Sequence, residues 1–242
     1  MKYILDTHTH TYVSGHAYNT MKEMVQSASE KGLSLLAITE HGPAMPGTCH
    51  DFYFHNLKVV PRTMLGIKLL LGAEANIIDK TGKLDMNAYP LREMDLVIAS
   101  LHAATIKPGS IKDNTDAVLG AIANPYVHII GHPDDSRFPL DYEVIVRAAK
   151  EAGVLLELNN SSLSPYSFRE NARENVLTYL RLCKQYGASI TLGTDAHVDT
   201  AIGDFSLAKE LLAEVDFPSE LVVNDSVEKL LSFVNTRKAK CK

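Results

Sequence analysis

The chain has 242 residues and a formal net charge of −5 at pH 7, and 45% of its residues are hydrophobic. This length suits one large domain or two small ones, and the apolar content can form a core without disulfide bonds or a structural metal. The acidic balance and the lack of a basic run argue against a protein that binds nucleic acids.

The cysteines and the start of the chain bear on its compartment. Cys49, Cys183 and Cys241 are widely separated and show no CxxC spacing, which is typical of a reducing environment. A polar histidine cluster begins at position 8, where a signal peptide would be apolar. No apolar stretch approaches the roughly 20 residues of a membrane span. We therefore expect a cytoplasmic protein with no membrane partner.

Apolar runs alternate with longer amphipathic segments along the chain. The predicted strands are 2–5, 33–39, 67–78, 94–101, 127–131, 153–159 and 189–194. The predicted helices are about 20–31, 114–124, 141–152, 169–186, 205–214 and 226–236. Continuous apolar strands separated by helices indicate a parallel sheet that is covered on both faces. We predict an α/β TIM-like barrel of seven units rather than eight. A doubly wound open sheet is the alternative, although the chain has no GxGxxG or Walker sequence to support one.

The segment 43–66 differs from the other connections in both length and composition. It is rich in proline, carries the aromatic run Phe52, Tyr53 and Phe54, and includes His50 and His55. Such a segment is typical of a long functional loop with one helical turn, and we expect it to shape substrate selectivity. The two histidines are interpreted as loop surface residues, with substrate contact as the alternative.

Six of the seven predicted strands end in a side chain that can bind a metal ion. These side chains are His8, His10, His41, Glu74, His102, His132, Asp195 and His197. The exception is the sixth strand, whose end "ELNNSS" is interpreted as offering only neutral polar groups. Because the carboxyl ends of parallel strands meet on one face, we expect the candidates to converge in one pocket.

The number of candidates sets the expected stoichiometry. With His16, which follows the first strand, the chain offers nine ligands, and these fit three metal ions better than two. Imidazole and carboxylate ligands suit zinc, manganese or iron. His128 lies inside an apolar strand and is interpreted as a buried structural histidine or a support for a ligand. Asp6 is interpreted as a support for His8.

The motifs "DTHTHT", "ITEHG", "GAEAN", "SLHA", "GHP" and "GTDAH" resemble those of the PHP (polymerase and histidinol phosphatase) domain. The resemblance runs from about residue 3 to residue 236 and is greatest to the stand-alone, YcdX-like phosphatase branch. It implies a single PHP metallohydrolase domain over 1–242, with a distorted (β/α)7 barrel and a trinuclear metal centre that is usually zinc.

The resemblance also implies how the ligands are shared. His8, His10, Glu74 and Asp195 would hold one metal ion. Glu74 would bridge to a second ion, which His102 and His132 complete. The third would be held by His16, His41 and His197.

The expected activity is hydrolysis of a small phosphomonoester by metal-bound hydroxide. Asp195 is expected to assist proton transfer, and Arg62 is the candidate for phosphate contact because guanidinium matches phosphate geometry. Three alternatives stay open: hydrolysis of a phosphodiester, amidohydrolase-like cleavage of another bond, and a non-catalytic domain that binds metal or a partner. The sequence specifies neither the substrate nor the oligomeric state.

Overall fold

Seven parallel strands form a nearly closed barrel in the computed structural model, which describes residues 2–239. The strands are β1 (Leu5–Asp6), β2 (Leu35–His41), β3 (Thr63–Met64), β4 (Ile67–Asn76), β5 (Leu96–Ser100), β6 (Ile129–Ile130), β7 (Leu155–Asn159) and β8 (Ile190–Gly193). The parallel order is β1-β2-β4-β5-β6-β7-β8, and the short β3 pairs antiparallel with β4. The predicted barrel is confirmed, and Cys241 lies outside the described residues.

The helices lie between the strands and cover the outside of the barrel. They are α1 (Met21–Glu30), α2 (Phe52–Asn56), α3 (Ala88–Glu93), α4 (Ile111–Ala123), α5 (Tyr142–Ala152), α6 (Ala172–Tyr186), α7 (Ser206–Glu214) and α8 (Val227–Ala239). The segment 43–66, predicted as a loop with one helical turn, contains the five-residue α2 and, in addition, β3, and α3 lies where no helix was predicted. None of the helices within residues 2–239 combines the length and the apolar run that a membrane span requires.

Side chains alternate between two apolar clusters along the strands. In β2, Leu35 and Ala37 point into the barrel, whereas Leu36 and Ile38 pack under the helices. The inner cluster also receives Leu230 and Val234 of α8, so this helix closes the amino end of the barrel. The carboxyl end is left for polar side chains, as in other parallel barrels.

Strands β1 and β8 meet without a regular ladder. At their carboxyl ends a parallel bridge joins Thr9 to Ala196. Nearer their amino ends the Asn224 side chain joins the two strands. Its Nδ2 donates to the carbonyl oxygens of Leu5 (3.0 Å) and Leu192 (2.8 Å), and its Oδ1 accepts from the backbone N–H of Leu192 (2.7 Å). One buried amide thus satisfies the backbone where the barrel is incomplete.

Candidate metal centre

The nine predicted ligands, called the ligand cluster below, converge at the carboxyl end of the barrel. Four overlapping groups of three bring their ligand atoms within 4.8 Å of one another: His8, His10 and Glu74; His41, Glu74 and His102; His8, His132 and Asp195; and His10, His41 and His197. The ninth ligand, His16, reaches the cluster from its loop, and its Nε2 lies 3.2 Å from Nε2 of His41. The structure thus brings all nine together.

The two-residue period of the strands explains this convergence. Glu74 lies four residues after Leu70, which belongs to the inner apolar cluster, so both point into the barrel. His41 continues the row of Leu35 and Ala37 in the same way. On β2 and β4 the inward face therefore changes from apolar to metal-binding as the strand approaches its carboxyl end.

Glu74 lies at the centre of the ligand cluster and is fully buried. Its Oε2 lies 2.7 Å from Nδ1 of His41, 3.4 Å from Nε2 of His8 and 3.5 Å from Nε2 of His10. Its Oε1 lies 2.8 Å from Nε2 of His132 and 3.2 Å from Nε2 of His102. The two carboxylate oxygens thus face two different sets of rings.

Asp195 joins the ligand cluster from the other side. Its Oδ1 lies 3.2 Å from Nε2 of His10, and its Oδ2 accepts from Nη2 of Arg169 at 3.0 Å. The backbone of Asp195 has a φ of +53°, and that of His132 has a φ of +25°. Such a conformation costs free energy in a residue other than glycine and is found most often at functional sites.

Hydrogen bonds fix the tautomers of four rings. The Nδ1 atoms of His8, His10, His102 and His197 lie 2.7–3.1 Å from Glu157 Oε1, Ser14 Oγ, Asn76 Oδ1 and the Asp195 carbonyl oxygen, respectively. Each partner accepts; Ser14 can do so because its hydroxyl donates to Glu40 at 2.6 Å. A ring that donates from Nδ1 leaves the lone pair of Nε2 free to bind a metal ion.

The ligand cluster has the features of a cation site. The Nε2 atoms of His8 and His10 lie 3.1 Å apart, and because both rings donate from Nδ1, the two Nε2 atoms can share one cation. Glu74 Oε2 and His41 Nδ1 lie 2.7 Å apart but are not aligned for a hydrogen bond, and within the described residues neither buried atom has another hydrogen-bond partner. These residues therefore fit divalent metal ions.

The protonation states of Glu74 and His10 agree with metal binding. Burial raises the pKa of Glu74, but the imidazoles of His102, His8 and His41 outweigh it and hold the pKa well below the usual range. Burial, together with repulsion from His41 and His197, lowers the pKa of His10 well below its ordinary value. An ionised carboxylate and a neutral imidazole are the forms that bind metal ions.

Glu157 is a buried carboxylate of β7, the strand predicted as the sixth, and the sequence interpretation missed it. The prediction that this strand offers only neutral groups is therefore wrong. Its Oε1 lies 2.8 Å from Nδ1 of His8, and its Oε2 accepts from the backbone N–H of His132 at 2.8 Å. Gly193 of β8 leaves room for this contact, since a Cβ there would collide with both Glu157 and His8. The alternation that begins at Leu155 points Glu157 inward and could have identified it.

Arg62 lies at the opposite end of the barrel from the ligand cluster. Because β3 pairs with the start of β4, Arg62 is held beside Asp95, which immediately precedes β5. Its Nε donates to Asp95 at 2.6 Å, and its Nη1 donates to the carbonyl oxygens of Leu57 and Val60 at 2.7 Å. The donors predicted for a phosphate are therefore occupied by structural contacts.

Arg169 is the arginine that lies beside the ligand cluster, and the sequence interpretation did not single it out. It lies in the irregular segment between β7 and α6, where no periodicity indicates a direction for the side chain. Nη2 donates to Asp195 and Nη1 donates to Ser162 at 2.9 Å. Arg169 lines a cavity of about 680 Å³ that opens onto the ligand cluster.

The remaining histidines lie away from the cavity lining. His128 is buried, and its Nδ1 accepts from the backbone N–H of Val97 at 3.1 Å, which agrees with a structural histidine. His55 of α2 stacks on Tyr89, with ring centroids 5.4 Å apart, and His50 accepts from the backbone of the same helix. The segment 43–66 contributes Met45 to the cavity, but neither of its histidines.

Asp6 also supports the barrel rather than binding a metal ion. Its carboxylate accepts from the backbone N–H and the hydroxyl of Thr194, and from the backbone N–H of Gly203. This arrangement ties β1 to the segment that carries Asp195. Toward His8, the partner that the sequence analysis expected, Asp6 accepts only from the backbone N–H, at 3.5 Å.

Comparison with protein families matches residues 6–214 to the family described as PHP domain. The chain belongs to the PHP domain family. A probable phosphatase of Acetivibrio thermocellus is 46% identical over 238 residues, which cover 98% of each chain. A probable phosphatase of Caldicellulosiruptor bescii is 47% identical over 230 residues, or 95% of each chain. The family and these relatives support a phosphatase-like function for this PHP protein, whose histidine and carboxylate cluster can bind metal ions.

Solved structures share the fold at low sequence identity. The histidinol phosphate phosphatase of Lactococcus lactis subsp. lactis, in complex with zinc, L-histidinol and phosphate, aligns with a TM-score of 0.63 and 19% identity. The alignment covers 90% of this chain and 95% of that one. A chain in the structure of archaeal ribonuclease P with mature tRNA aligns with a TM-score of 0.59 and 15% identity, over 97% of this chain and 91% of that one. At such identities the likeness concerns the fold alone.

Proposed function

We propose that this PHP protein hydrolyses a small phosphomonoester with the aid of three divalent cations, of which zinc is the first candidate and manganese or iron the others. The observation that carries the proposal is Glu74, whose two oxygens face two sets of imidazole nitrogens. A carboxylate in this position is suited to bridging two ions. Divalent cations held there would lower the pKa of a bound water and offset the charge of the phosphoryl group.

The proposed division of ligands follows the family resemblance. One ion would be held by His8, His10, Glu74 and Asp195, a second by Glu74, His102 and His132, and a third by His16, His41 and His197. The overlap among the four groups of ligand atoms supports shared ligands, because His8, His10, His41 and Glu74 each belong to two groups. The contact of His16 with His41 supports the third set.

Two side chains would act on the substrate itself. Arg169 replaces Arg62 as the proposed phosphate contact, because it combines exposure to the cavity with a fixed position on Asp195 and Ser162. A guanidinium held at this point can donate further hydrogen bonds to phosphoryl oxygens. Asp195 is proposed to assist proton transfer during the reaction. Its carboxylate is ionised, since His8, His10 and Arg169 overcome the effect of burial and keep its pKa well below the usual range.

The test combines metal content with turnover. The proposal expects about three zinc ions per chain after reconstitution and dialysis, and hydrolysis of p-nitrophenyl phosphate. Glu74→Gln should lose two of these ions and its activity. Glu93→Gln, a change at an exposed residue, should retain full metal content and activity. A Glu74→Gln variant with full metal content and activity would refute the bridging role. Removal of the metal by a chelator, followed by addition of single metals, identifies the ion that restores turnover. A cytoplasmic location stays a prediction.

A further inference from the structure

The cavity over the ligand cluster has an aromatic wall that the proposed hydrolysis does not use. The wall belongs to residues 164–169, called the aromatic turn below. Tyr166 is 95% exposed and Phe168 is 71% exposed, yet both line the cavity. Two large rings left open to solvent shortly before α6 contribute little to the core. Their position beside the ligand cluster points to a role in substrate binding.

Hydrogen bonds hold the aromatic turn in place. The backbone N–H of Ser167 donates to the carbonyl oxygen of Ser164 at 2.9 Å, and that of Tyr166 donates to the hydroxyl of Ser164 at 3.2 Å. Just beyond the turn, the carbonyl oxygen of Glu170 accepts from the backbone N–H of Ser136 at 2.9 Å. Tyr166 is thus presented from a closed turn, so a ligand that stacks on it has little backbone to order.

Two guanidinium groups lie against the second ring. The Cζ atoms of Arg137 and Arg169 lie 5.2 Å and 5.5 Å from the ring centroid of Phe168. Asp135 holds Arg137 through its Nε (2.8 Å) and Nη2 (2.5 Å). The wall therefore combines aromatic rings with a fixed planar cation, and both kinds of group stack on flat ligands.

The size of the cavity also indicates a ligand larger than phosphate. A volume of about 680 Å³ exceeds what a phosphate group alone would occupy and falls within the range of pockets for drug-sized ligands. Met45, Leu101 and Val198 add apolar surface to a lining that also contains polar side chains. The cavity can thus accommodate an organic group that is larger than phosphate and partly apolar.

We propose that the substrate's leaving group carries a planar aromatic ring, which stacks on Tyr166 and Phe168 while its phosphate lies at the ligand cluster. This inference rests on the proposed phosphatase function and specifies its substrate class. In the reaction, water adds to phosphorus and the bond from phosphorus to the ester oxygen breaks. The products are the ring-bearing alcohol, which takes up a proton, and inorganic phosphate.

The test uses three alkyl phosphates whose leaving groups have similar acidity: 2-phenylethyl, 2-cyclohexylethyl and propyl phosphate. The zinc-loaded protein should give a kcat/KM for the phenyl ester about fivefold to tenfold above that for the cyclohexyl ester, which matches it in size but is not planar. Tyr166→Ala should bring this ratio close to one. Tyr166→Phe should preserve it, and so should Phe52→Ala, which removes an exposed ring outside the cavity.

The outcomes separate this inference from the proposed function. Hydrolysis of all three esters with equal kcat/KM for the two ring esters would overturn the aromatic preference and leave the phosphatase proposal standing. Retention of the wild-type ratio in both Tyr166→Ala and Phe168→Leu would likewise overturn the aromatic preference alone. No hydrolysis of any ester with any added metal, propyl phosphate included, would overturn the proposed function and this inference with it.

Discussion

Replacing Glu157 with Gln should weaken metal binding, although Glu157 is not among the nine ligands. In the wild-type protein both carboxylate oxygens accept, one from Nδ1 of His8 and the other from the backbone N–H of His132. A glutamine amide has only one acceptor atom, so its NH₂ group must face one of these two donors. If it faces His8, the ring proton moves to Nε2, the atom that points toward Glu74 and Asp195.

The size of the effect follows from the role of such carboxylates. Loss of an acidic partner behind a metal-binding histidine reduces metal affinity roughly 10- to 100-fold. Competition with a chromophoric zinc chelator measures this affinity, and Glu151→Gln, an exposed change on α5, is the control. Turnover at saturating zinc should recover in part, because excess metal offsets a loss of affinity. Zinc affinity that stays within about twofold of wild type would refute the orienting role of Glu157.

Three further changes test other parts of the structure. Arg169→Lys should lower kcat/KM for a phosphomonoester at least about tenfold with unchanged metal content, because an ammonium group cannot reproduce the paired donors of guanidinium. Steady-state kinetics measure this, and an unchanged kcat/KM would contradict the prediction. Arg62→Leu should destabilise the fold by about 1–3 kcal/mol in urea unfolding while kcat/KM is unchanged, since its partners lie at the other end of the barrel. Burial, aided by Lys238 and Arg237, lowers the pKa of His128 to about 3. The unfolded chain has an ordinary histidine pKa near 6.5, so it takes up a proton before the folded protein does as the pH falls, and wild type loses stability. In metal-free urea unfolding, the free energy of unfolding of His128→Asn should therefore rise by about 2 kcal/mol relative to that of wild type between about pH 7.5 and pH 5. If the difference in unfolding free energy between His128→Asn and wild type did not change with pH, that would contradict a neutral His128.

The sequence predicts the fold because each strand carries its own signal. A continuous apolar run such as 94–101 indicates a strand buried on both faces, and β5 lies within it. The run 127–131 gives only the two-residue β6, because ladder hydrogen bonds depend on how neighbouring strands are placed. The antiparallel pairing of β3 with β4 was not predicted. It depends on the turn at Leu65 and Gly66, both of which have positive φ, and on a long-range contact that no local pattern encodes.

The ligand cluster is more predictable than the residues around it. A histidine at a strand end is conspicuous, whereas Glu157 lies in an apolar strand and its role appears only when β1 and β7 face each other across the barrel. The arginine proposed to contact phosphate could not be chosen from composition, because Arg62 and Arg169 both follow irregular segments. The difference between them lies in which end of the barrel each segment reaches.

The same alternation that forms the core also concentrates charge at one end. Leu70 and Glu74 share one inward row of β4, and Leu155 and Glu157 share another on β7. Residues of either row cannot change face without moving the whole strand, since a shift of one residue exchanges inside and outside. The apolar interior near α8 therefore fixes the register that aims the carboxylates at the imidazoles. In turn, three buried carboxylates, Glu74, Glu157 and Asp195, are tolerable only because histidines and Arg169 compensate their charge, to which the proposed cations would add. Register and metal binding are thus coupled through the same strands.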